Sequence, residues 1–216
     1  VIDGPFASDL DAGEDNLVLR AARALASEAA LDPTGALRLT KNLPVASGIG
    51  GGSADAAATL RLLTKHWRID PVHAARVAPA LGSDVPACLL SLTARGIGAG
   101  DELRLEDAGV AGAPALLVNP RVALSTGDVF ARWDGVDRGA LGDWREGRND
   151  LEPLARSLVP EIEEVLTLLR TQPGANIVRM SGSGATCFAL FDHEAARDAA
   201  AAAVPPGWWQ LASWLR

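Results

Sequence analysis

The residues best suited to chemistry form a glycine run that could hold an anion. Residues 43–57 read LPVASGIGGGSADAA, and Ser53 follows the last glycine at the predicted start of a helix. Glycine lets the backbone adopt positive φ and approach a ligand closely. A helix N-terminus adds unpaired N–H groups and the positive end of its dipole. The segment therefore favours a phosphate site. The alternative is a simple turn, in which Ser53 would only cap the helix.

The spacing of these glycines separates the run from two common nucleotide-binding loops. No lysine follows the glycines, so the GxxxxGK[ST] pattern of a P-loop is absent. Gly48, Gly50 and Ser53 do not fit GxGxxG, and no acidic partner for a ribose follows a second strand. The run thus indicates a phosphate loop of another kind.

Asp84, within LGSDVP, is the candidate for acid–base chemistry. Phosphoryl transfer requires a group that orients or deprotonates the acceptor hydroxyl, and an aspartate can do this. The alternative is a helix or turn cap after Gly82, and the residues alone favour the cap.

Composition limits the class of partner. The chain has 216 residues, of which 48% are hydrophobic and 22% charged, enough for one large or two modest domains. A net charge of −7 provides no basic stripe and disfavours nucleic acid as a partner. No apolar run approaches the roughly 20 residues that a membrane helix needs. We therefore expect a small-molecule substrate and no membrane or nucleic-acid partner.

Cysteine and histidine usage argues against a metal centre. Cys88 and Cys187 lie far apart and are expected to be reduced residues of a cytoplasmic protein. Neither they nor His66, His73 and His193 have a second ligand at metal-binding spacing. No metal centre built from these cysteines and histidines is predicted; the Ser53 hydroxyl could contact a phosphate or a magnesium ion.

The elements that must position these residues follow from periodicity and turn residues. In the first half we predict helices near 17–29 (capped by Asp15), 54–63 and 71–82, and strands at 36–40, 88–95 and 102–105. A change of pattern near 111–114 predicts a domain boundary, giving domains 1–112 and 113–216. The second half predicts a strand at 115–119, helices at 127–133 and 151–171, strands at 176–180 and 186–191, a helix at 193–203 and a strand at 208–214. That order is the ferredoxin-like βαββαβ motif.

Three segments together resemble the GHMP kinase superfamily. LPVASGIGGGSADAAATL resembles its second signature, and Met180–Thr186 (MSGSGAT) resembles its third. Leu81–Pro86 (LGSDVP) is similar to the segment that carries the catalytic aspartate in the diphosphocytidyl-methylerythritol kinases of that superfamily. Three further segments resemble those kinases in the same order: Asp15–Arg23 (DNLVLRAAR), Gly96–Leu103 (GIGAGDEL) and Asn149–Glu152 (NDLE).

The resemblance implies an α/β (α+β) two-domain fold. Its N-terminal, ATP-binding domain would be ribosomal protein S5 domain 2-like and incomplete at its start, and its C-terminal domain would be ferredoxin-like. The implied reaction uses ATP with Mg²⁺ to phosphorylate the 2-hydroxyl of 4-diphosphocytidyl-2-C-methyl-D-erythritol in the non-mevalonate route to isoprenoid precursors. The implied protein is a cytoplasmic monomer or homodimer.

The resemblance also implies roles for individual residues. Asp84 would be the general base, Asn16 and Lys41 would flank the nucleoside, Phe130 would stack on the cytosine, and the loop 181–186 would close the site near the transferred phosphoryl group. The full ATP-binding set is Asn16, Lys41, Pro44, Gly48, Gly50, Gly51, Gly52 and Ser53. The full substrate-binding set is Thr126, Phe130, Ser181, Gly182, Ser183 and Gly184.

One part of the family pattern is missing. The first signature of these kinases has a lysine and an asparagine on an early strand, then an aromatic–histidine pair, and nothing in Val1–Ala30 resembles it. We therefore expect that N-terminal strands are lacking and that these 216 residues alone are weakly active or inactive. Two alternatives stay open. One is another GHMP kinase of the homoserine or mevalonate type, and the other is a non-catalytic nucleotide-binding protein, if Val1 is the true start.

Overall fold

A computed structural model describes residues 1–10, 13, 15–98, 100 and 102–215. These residues form two compact units. The first comprises residues 1–45 and 50–107, and the second comprises residues 46–49 together with the chain from Ala108 onward. Four residues of the glycine-rich segment thus belong to the second unit, although the chain on both sides of them belongs to the first. The domain boundary at 112/113 stays a prediction.

The first unit is mainly helical. Strand β1 (Ile2–Asp3) pairs in parallel with β2 (Leu39–Thr40), and β3 (Ala94–Ile97) pairs antiparallel with β4 (Glu102–Leu105). Its helices are α1 (Leu17–Glu28), α2 (Gly51–Trp67), α3 (Pro71–Leu81) and α4 (Val85–Leu90), with a short 3-10 helix at Ala7–Asp9.

Small and branched apolar side chains form the core of the first unit. Ala21 and Leu25 of α1 are completely buried, as are Ala56, Ala57 and Leu60 of α2. Alanine at the facing positions lets the helix backbones approach closely, while each leucine removes apolar surface from water. This packing fixes the N-terminal end of α2, where the candidate phosphate site lies.

The helix boundaries correct one prediction for the first unit and confirm another. Helix α1 is capped by Asn16, whose side-chain oxygen accepts from the Val18 amide at 3.0 Å, so the prediction of Asp15 as the cap was wrong. The third predicted helix is confirmed as α3. There the Asp70 carboxylate accepts from the Val72 amide at 2.8 Å and Gly82 is the C-cap.

The predicted strand 88–95 was wrong in its first part. Residues 88–90 belong to α4, where the Cys88 amide donates to the Asp84 carbonyl at 3.0 Å. The helix has a proline, Pro86, in its first turn, where the missing N–H costs nothing. Strand β3 begins only at Ala94.

The second unit has the predicted ferredoxin-like order. Its elements are β5 (Pro114–Asn119), α5 (Thr126–Phe130), α6 (Glu152–Leu158), α7 (Glu161–Arg170), β6 (Ala175–Met180), β7 (Cys187–Phe191), α8 (Glu194–Ala202) and β8 (Trp209–Trp214). The strands form one sheet in the order β6-β7-β5-β8, with every neighbouring pair antiparallel.

Helix α7 supplies much of the core of the second unit. Ile162, Val165, Leu166 and Leu169 are completely buried, at the i, i+3, i+4, i+7 spacing of one helix face. The single helix predicted over 151–171 is two helices. Pro160 separates α6 from α7, because proline has no N–H to continue the first helix. Within the described chain, no helix is long and apolar enough to span a bilayer.

Candidate active site

The N-terminus of α2 in the first unit has the form of an anion site. Gly50 adopts a φ of +64° as the N-cap, and the first backbone bond runs from the Ala54 amide to the Gly50 carbonyl at 2.8 Å. The amides of Gly51, Gly52 and Ser53 therefore have no acceptor within the helix. Helix α2 begins three residues before the predicted start, so Ser53 is its third residue and the cap interpretation was wrong.

Asp84 lies beside this helix end. It occupies the N-cap position of α4, but its exposed side chain makes no capping hydrogen bond. A Cβ built on Gly50 would be 4.0 Å from Asp84 Oδ2, so the carboxylate faces the turn that opens α2. Among the described residues no hydrogen bond or ion pair reaches this carboxylate. The capping alternative is thus not realised, and the oxygen atoms are available to accept a proton.

Lys41 contributes a buried cation to the same helix end. Its side chain is only 4% exposed, and Nζ lies 2.6 Å from Asp55 Oδ2. A Cβ built on Gly51 would be 3.4 Å from Nζ, which places the ammonium group against the first turn of α2. The ion pair fastens the residue that follows β2 to α2. A role beside the nucleoside stays a prediction.

The two other predicted ATP-binding residues of the first unit, Asn16 and Pro44, have places in the fold that do not depend on a ligand. Asn16 uses its side-chain oxygen to cap α1. The next residue, Leu17, is 3.9 Å from the position of a Cβ on Gly52, so α1 and α2 begin close together. Pro44 is buried just before the chain leaves this unit. Their contacts with ATP stay predictions.

In the second unit, a tight loop connects β6 to β7. The Ser181 amide donates to the Thr186 carbonyl and the Gly184 amide donates to the Ser181 carbonyl, both at 2.9 Å. Gly182 and Gly184 have φ values of +53° and +88°, which explains the need for glycine there. Ser183 is buried, with Oγ 2.8 Å from the Thr126 hydroxyl. The structure therefore brings together Thr126 and residues 181–184 of the predicted substrate set.

Gly48 packs directly on that loop. The Ser181 hydroxyl donates to the Gly48 carbonyl at 2.9 Å, and the Thr186 amide donates to the Ser47 carbonyl at 3.2 Å. A Cβ on Gly48 would lie 2.6 Å from the Ser181 carbonyl oxygen, and one on Gly182 would lie 2.9 Å from the Gly48 carbonyl oxygen. Only glycine fits at either position, and the two glycine signatures meet backbone to backbone.

Phe130 presents an aromatic surface near the start of α5. Its side chain is 53% exposed at the end of the helix that Thr126 begins, and the Ser125 hydroxyl accepts from the Asp128 amide at 3.4 Å. A pocket of about 350 Å³ lies in the same unit, lined by Trp133, Asp134, Arg138, Arg148, Asn149, Asp150, Pro153 and Leu154. The exposure of Phe130 leaves its ring accessible to a planar ligand.

Asn149 contacts the 181–184 loop, a connection that sequence reasoning missed. Its side-chain amide donates to the carbonyls of Met180 at 3.0 Å and Gly182 at 2.8 Å, at the base of the 181–184 loop. The available signal was the NDLE segment, to which no role was given. Nothing in its local pattern indicates a partner more than 30 residues away.

Neither thiol is suited to act as a nucleophile. Burial raises the pKa of Cys187 to about 12. Burial and the nearby Asp84 carboxylate, in that order, raise the pKa of Cys88, and the effect of Arg61 in the opposite direction is smaller. Both groups therefore stay protonated near neutral pH. In the described ranges, no group of three or more His, Cys, Asp or Glu side chains could hold a metal ion.

A larger apolar groove of the first unit is separate from this chemistry. Its volume is about 830 Å³, and residues of α2, α3, α4 and β4 line it. Neither Asp84 nor the glycines at the start of α2 are among its lining residues. The groove therefore does not enter the description of the active site.

Comparisons with known proteins match both halves of the chain. The GHMP kinases N terminal domain matches residues 16–91, and the GHMP kinases C terminal domain matches residues 132–208. The 4-diphosphocytidyl-2-C-methyl-D-erythritol kinase of Rhizorhabdus wittichii is 56% identical over 100% of this chain and 78% of its own length. This chain belongs to the 4-diphosphocytidyl-2-C-methyl-D-erythritol kinase family. The kinase of the same name from Novosphingobium aromaticivorans is 50% identical over 99% of this chain and 75% of its own.

Solved structures agree with membership of this kinase family. A crystal structure of 4-(cytidine 5'-diphospho)-2C-methyl-D-erythritol kinase matches with a TM-score of 0.79 and 29% identity, covering 98% of this chain and 81% of that one. Homoserine kinase from Cytophaga hutchinsonii matches with a TM-score of 0.75 but only 18% identity, over 100% and 81% of the two chains. That second likeness concerns the fold alone. The predicted two-domain GHMP kinase fold is confirmed.

Proposed function

We propose that the protein transfers the γ-phosphoryl group of ATP to the 2-hydroxyl of 4-diphosphocytidyl-2-C-methyl-D-erythritol. The observation that carries this proposal is the unengaged Asp84 carboxylate facing the anion-binding end of α2. The named relatives, at up to 56% identity, support the choice of substrate.

The α2 end would bind the ATP phosphates. Three backbone amides there have no acceptor within the helix, and they lie at the positive end of the dipole of a 17-residue helix. Both features attract the negative charge of the nucleotide. The same groups stabilise charge that develops on the phosphate oxygens in the transition state, because they are already oriented before the reaction.

Asp84 would accept the proton of the acceptor hydroxyl. As that proton leaves, the hydroxyl oxygen forms a bond to the γ-phosphorus, and the bond from the γ-phosphorus to the bridging oxygen of the diphosphate breaks. ADP leaves with the electron pair, and the substrate gains the phosphoryl group. Positioning and electrostatics account for most of the catalysis in such transfers.

The remaining residues would position the two ligands. Lys41 would place a cation beside the nucleotide while paired with Asp55, and Phe130 would stack on the cytosine through its exposed ring. The 181–184 loop would lie near the transferred phosphoryl group. We further propose a cytoplasmic protein, which two free thiols support. A monomer or homodimer is proposed from the family resemblance alone.

Mg²⁺ would accompany ATP. The residues fit an ion held largely by the nucleotide, since proteins commonly bind Mg²⁺ with one or two oxygen ligands plus substrate phosphates. The Ser53 hydroxyl, in the first turn of α2, is the candidate protein ligand. When bound, the ion neutralises charge on the phosphates, and the proton still goes to Asp84.

The test uses the enzyme expressed from its complete gene. Phosphorylation of 4-diphosphocytidyl-2-C-methyl-D-erythritol, homoserine and mevalonate would be measured with ATP and Mg²⁺. We expect turnover of the cytidine substrate alone. In Asp84→Asn, kcat should fall by about 10²- to 10⁴-fold, the usual contribution of a general base. Asp32→Asn, an exposed carboxylate in a loop, is the matched control and should keep full activity. Equal kcat in Asp84→Asn and wild type would exclude Asp84 as the base.

A further inference from the structure

The NDLE segment lies against the loop that the family resemblance places at the phosphoryl group. Asn149 donates two hydrogen bonds, to the carbonyls of Met180 at 3.0 Å and Gly182 at 2.8 Å. Glu152, at the first position of α6, accepts from the Met180 amide at 3.4 Å. Three contacts therefore join this segment to the end of β6 and the loop that follows.

The orientation of the Asn149 amide is determined by its surroundings. Its oxygen accepts from the Leu151 amide at 3.0 Å, which forms the turn that leads into α6. Its nitrogen faces two carbonyl oxygens, which can only accept. Exchanging nitrogen and oxygen would therefore place an acceptor against two acceptors and a donor against a donor. Both N–H donors of this side chain bond the loop while its oxygen bonds the turn, so Asn149 joins the turn to the loop.

The 181–184 loop in turn contacts Gly48. Ser181 follows Met180, and its hydroxyl donates to the Gly48 carbonyl at 2.9 Å. Gly182, whose carbonyl Asn149 holds, is itself so close to Gly48 that a Cβ would lie 2.9 Å from the Gly48 carbonyl oxygen. A shift of the Gly182 peptide would therefore disturb Gly48, which belongs to the glycine run.

We infer that Asn149 is a positioning residue for phosphoryl transfer, which acts by holding the carbonyls of Met180 and Gly182 and, through them, the contact of the 181–184 loop with Gly48. This inference rests on the proposed function for its catalytic consequence. Its structural part, the hold on the loop, is independent of the substrate.

Asn149→Asp is the most informative variant. The carboxylate keeps an oxygen for the Leu151 amide, so the turn into α6 is preserved, but the second oxygen repels the two loop carbonyls. We expect kcat to fall by about 10- to 100-fold, as for a small misplacement of reacting groups. The KM for ATP should change less than kcat. Asn176→Ala is the matched control, because Asn176 on β6 makes a single exposed hydrogen bond, to Asp192 at 2.8 Å. It should keep both kinetic parameters.

Amide hydrogen exchange tests the hold on the loop directly. The amides of Ser181, Gly184 and Thr186 are hydrogen-bonded, and their exchange should accelerate in Asn149→Asp while that of α7 stays unchanged. Asn149→Ala, in which water can solvate the freed carbonyls, should show a smaller defect in both measurements.

The outcomes separate the two proposals. Faster loop exchange with lower kcat supports the inference. Unchanged loop exchange overturns it, and so does faster exchange with wild-type kcat. A wild-type enzyme that does not phosphorylate the cytidine substrate would overturn the proposed function, and the exchange data would still decide whether Asn149 holds the loop.

Discussion

Replacing Gly48 by alanine tests the backbone contact between the two glycine signatures. Gly48 has a φ of +74°, and an alanine in this left-handed region costs about 1–2 kcal/mol. The added Cβ would also lie 2.6 Å from the Ser181 carbonyl oxygen and 2.8 Å from the Gly184 amide nitrogen. These are backbone atoms that cannot rotate away, so overpacking adds about 1–3 kcal/mol. The total loss is about 2–5 kcal/mol.

Gly112→Ala separates the two contributions. Gly112 lies in the same unit with a φ of +80°, but a Cβ there meets nothing within 4 Å. This variant should lose only the conformational part, about 1–2 kcal/mol. Thermal unfolding followed by circular dichroism should therefore place the melting temperature of Gly48→Ala below that of Gly112→Ala by about 2–12 °C. Under the proposed function, Gly48→Ala should also lower kcat. Equal melting temperatures for the two variants would refute the claim that Gly48 is confined by the loop.

Two further predictions concern the end of α2. Lys41→Met should destabilise the protein by about 3 kcal/mol, the low end for breaking a buried pair, because Asp55 keeps 24% exposure. Adding Asp55→Asn should recover part of that loss in urea unfolding, and a double variant no more stable than Lys41→Met would contradict the pairing. Asp84→Asn should lower the raised pKa of Cys88, since it removes a negative charge that disfavours the thiolate. Alkylation of Cys88 should then accelerate near pH 8, with buried Cys187 as the slow internal reference, and an unchanged rate would place Asp84 too far from the thiol.

Where neighbouring residues all indicate the same structure, the sequence predicts the element correctly. Helix α3 has Asp70 and Pro71 at its start and Gly82 at its end, and its bounds are as predicted. The order of strands and helices in the second unit also follows from apolar stretches separated by turn residues. These features depend on neighbours in the chain, which a sequence displays directly.

Where packing against other elements decides the conformation, the secondary structure predicted from the sequence was wrong. Glycine disfavours helix, so the sequence predicts a loop at residues 51–53, yet they form the first turn of α2. The packing of α2 against α1, α3 and α4 outweighs the low helix propensity of the two glycines. Likewise the apolar residues 88–90 fit a strand or a helix equally well, and contact between α4 and α2 selects the helix.

The residues of the candidate site likewise fall into those that the sequence indicates and those that it does not. Gly50 and Asp84 were identified because their segments are recognisable in sequence. Asn149 received no role because its partners, Met180 and Gly182, are 31 and 33 residues away in the chain. A hydrogen bond between distant segments leaves no local periodicity.

The assignment of residues 46–49 to the second unit has a consequence for how this protein can be divided. A gene cut after residue 107 would yield a C-terminal fragment without the Ser47 carbonyl that accepts from the Thr186 amide and without the Gly48 carbonyl that accepts from Ser181. The fragment would contain every strand of its sheet and still lack the partners of its glycine loop. The two units are therefore not interchangeable modules, because recombination at the 107/108 junction would transfer a sheet and leave behind the four residues that complete its loop.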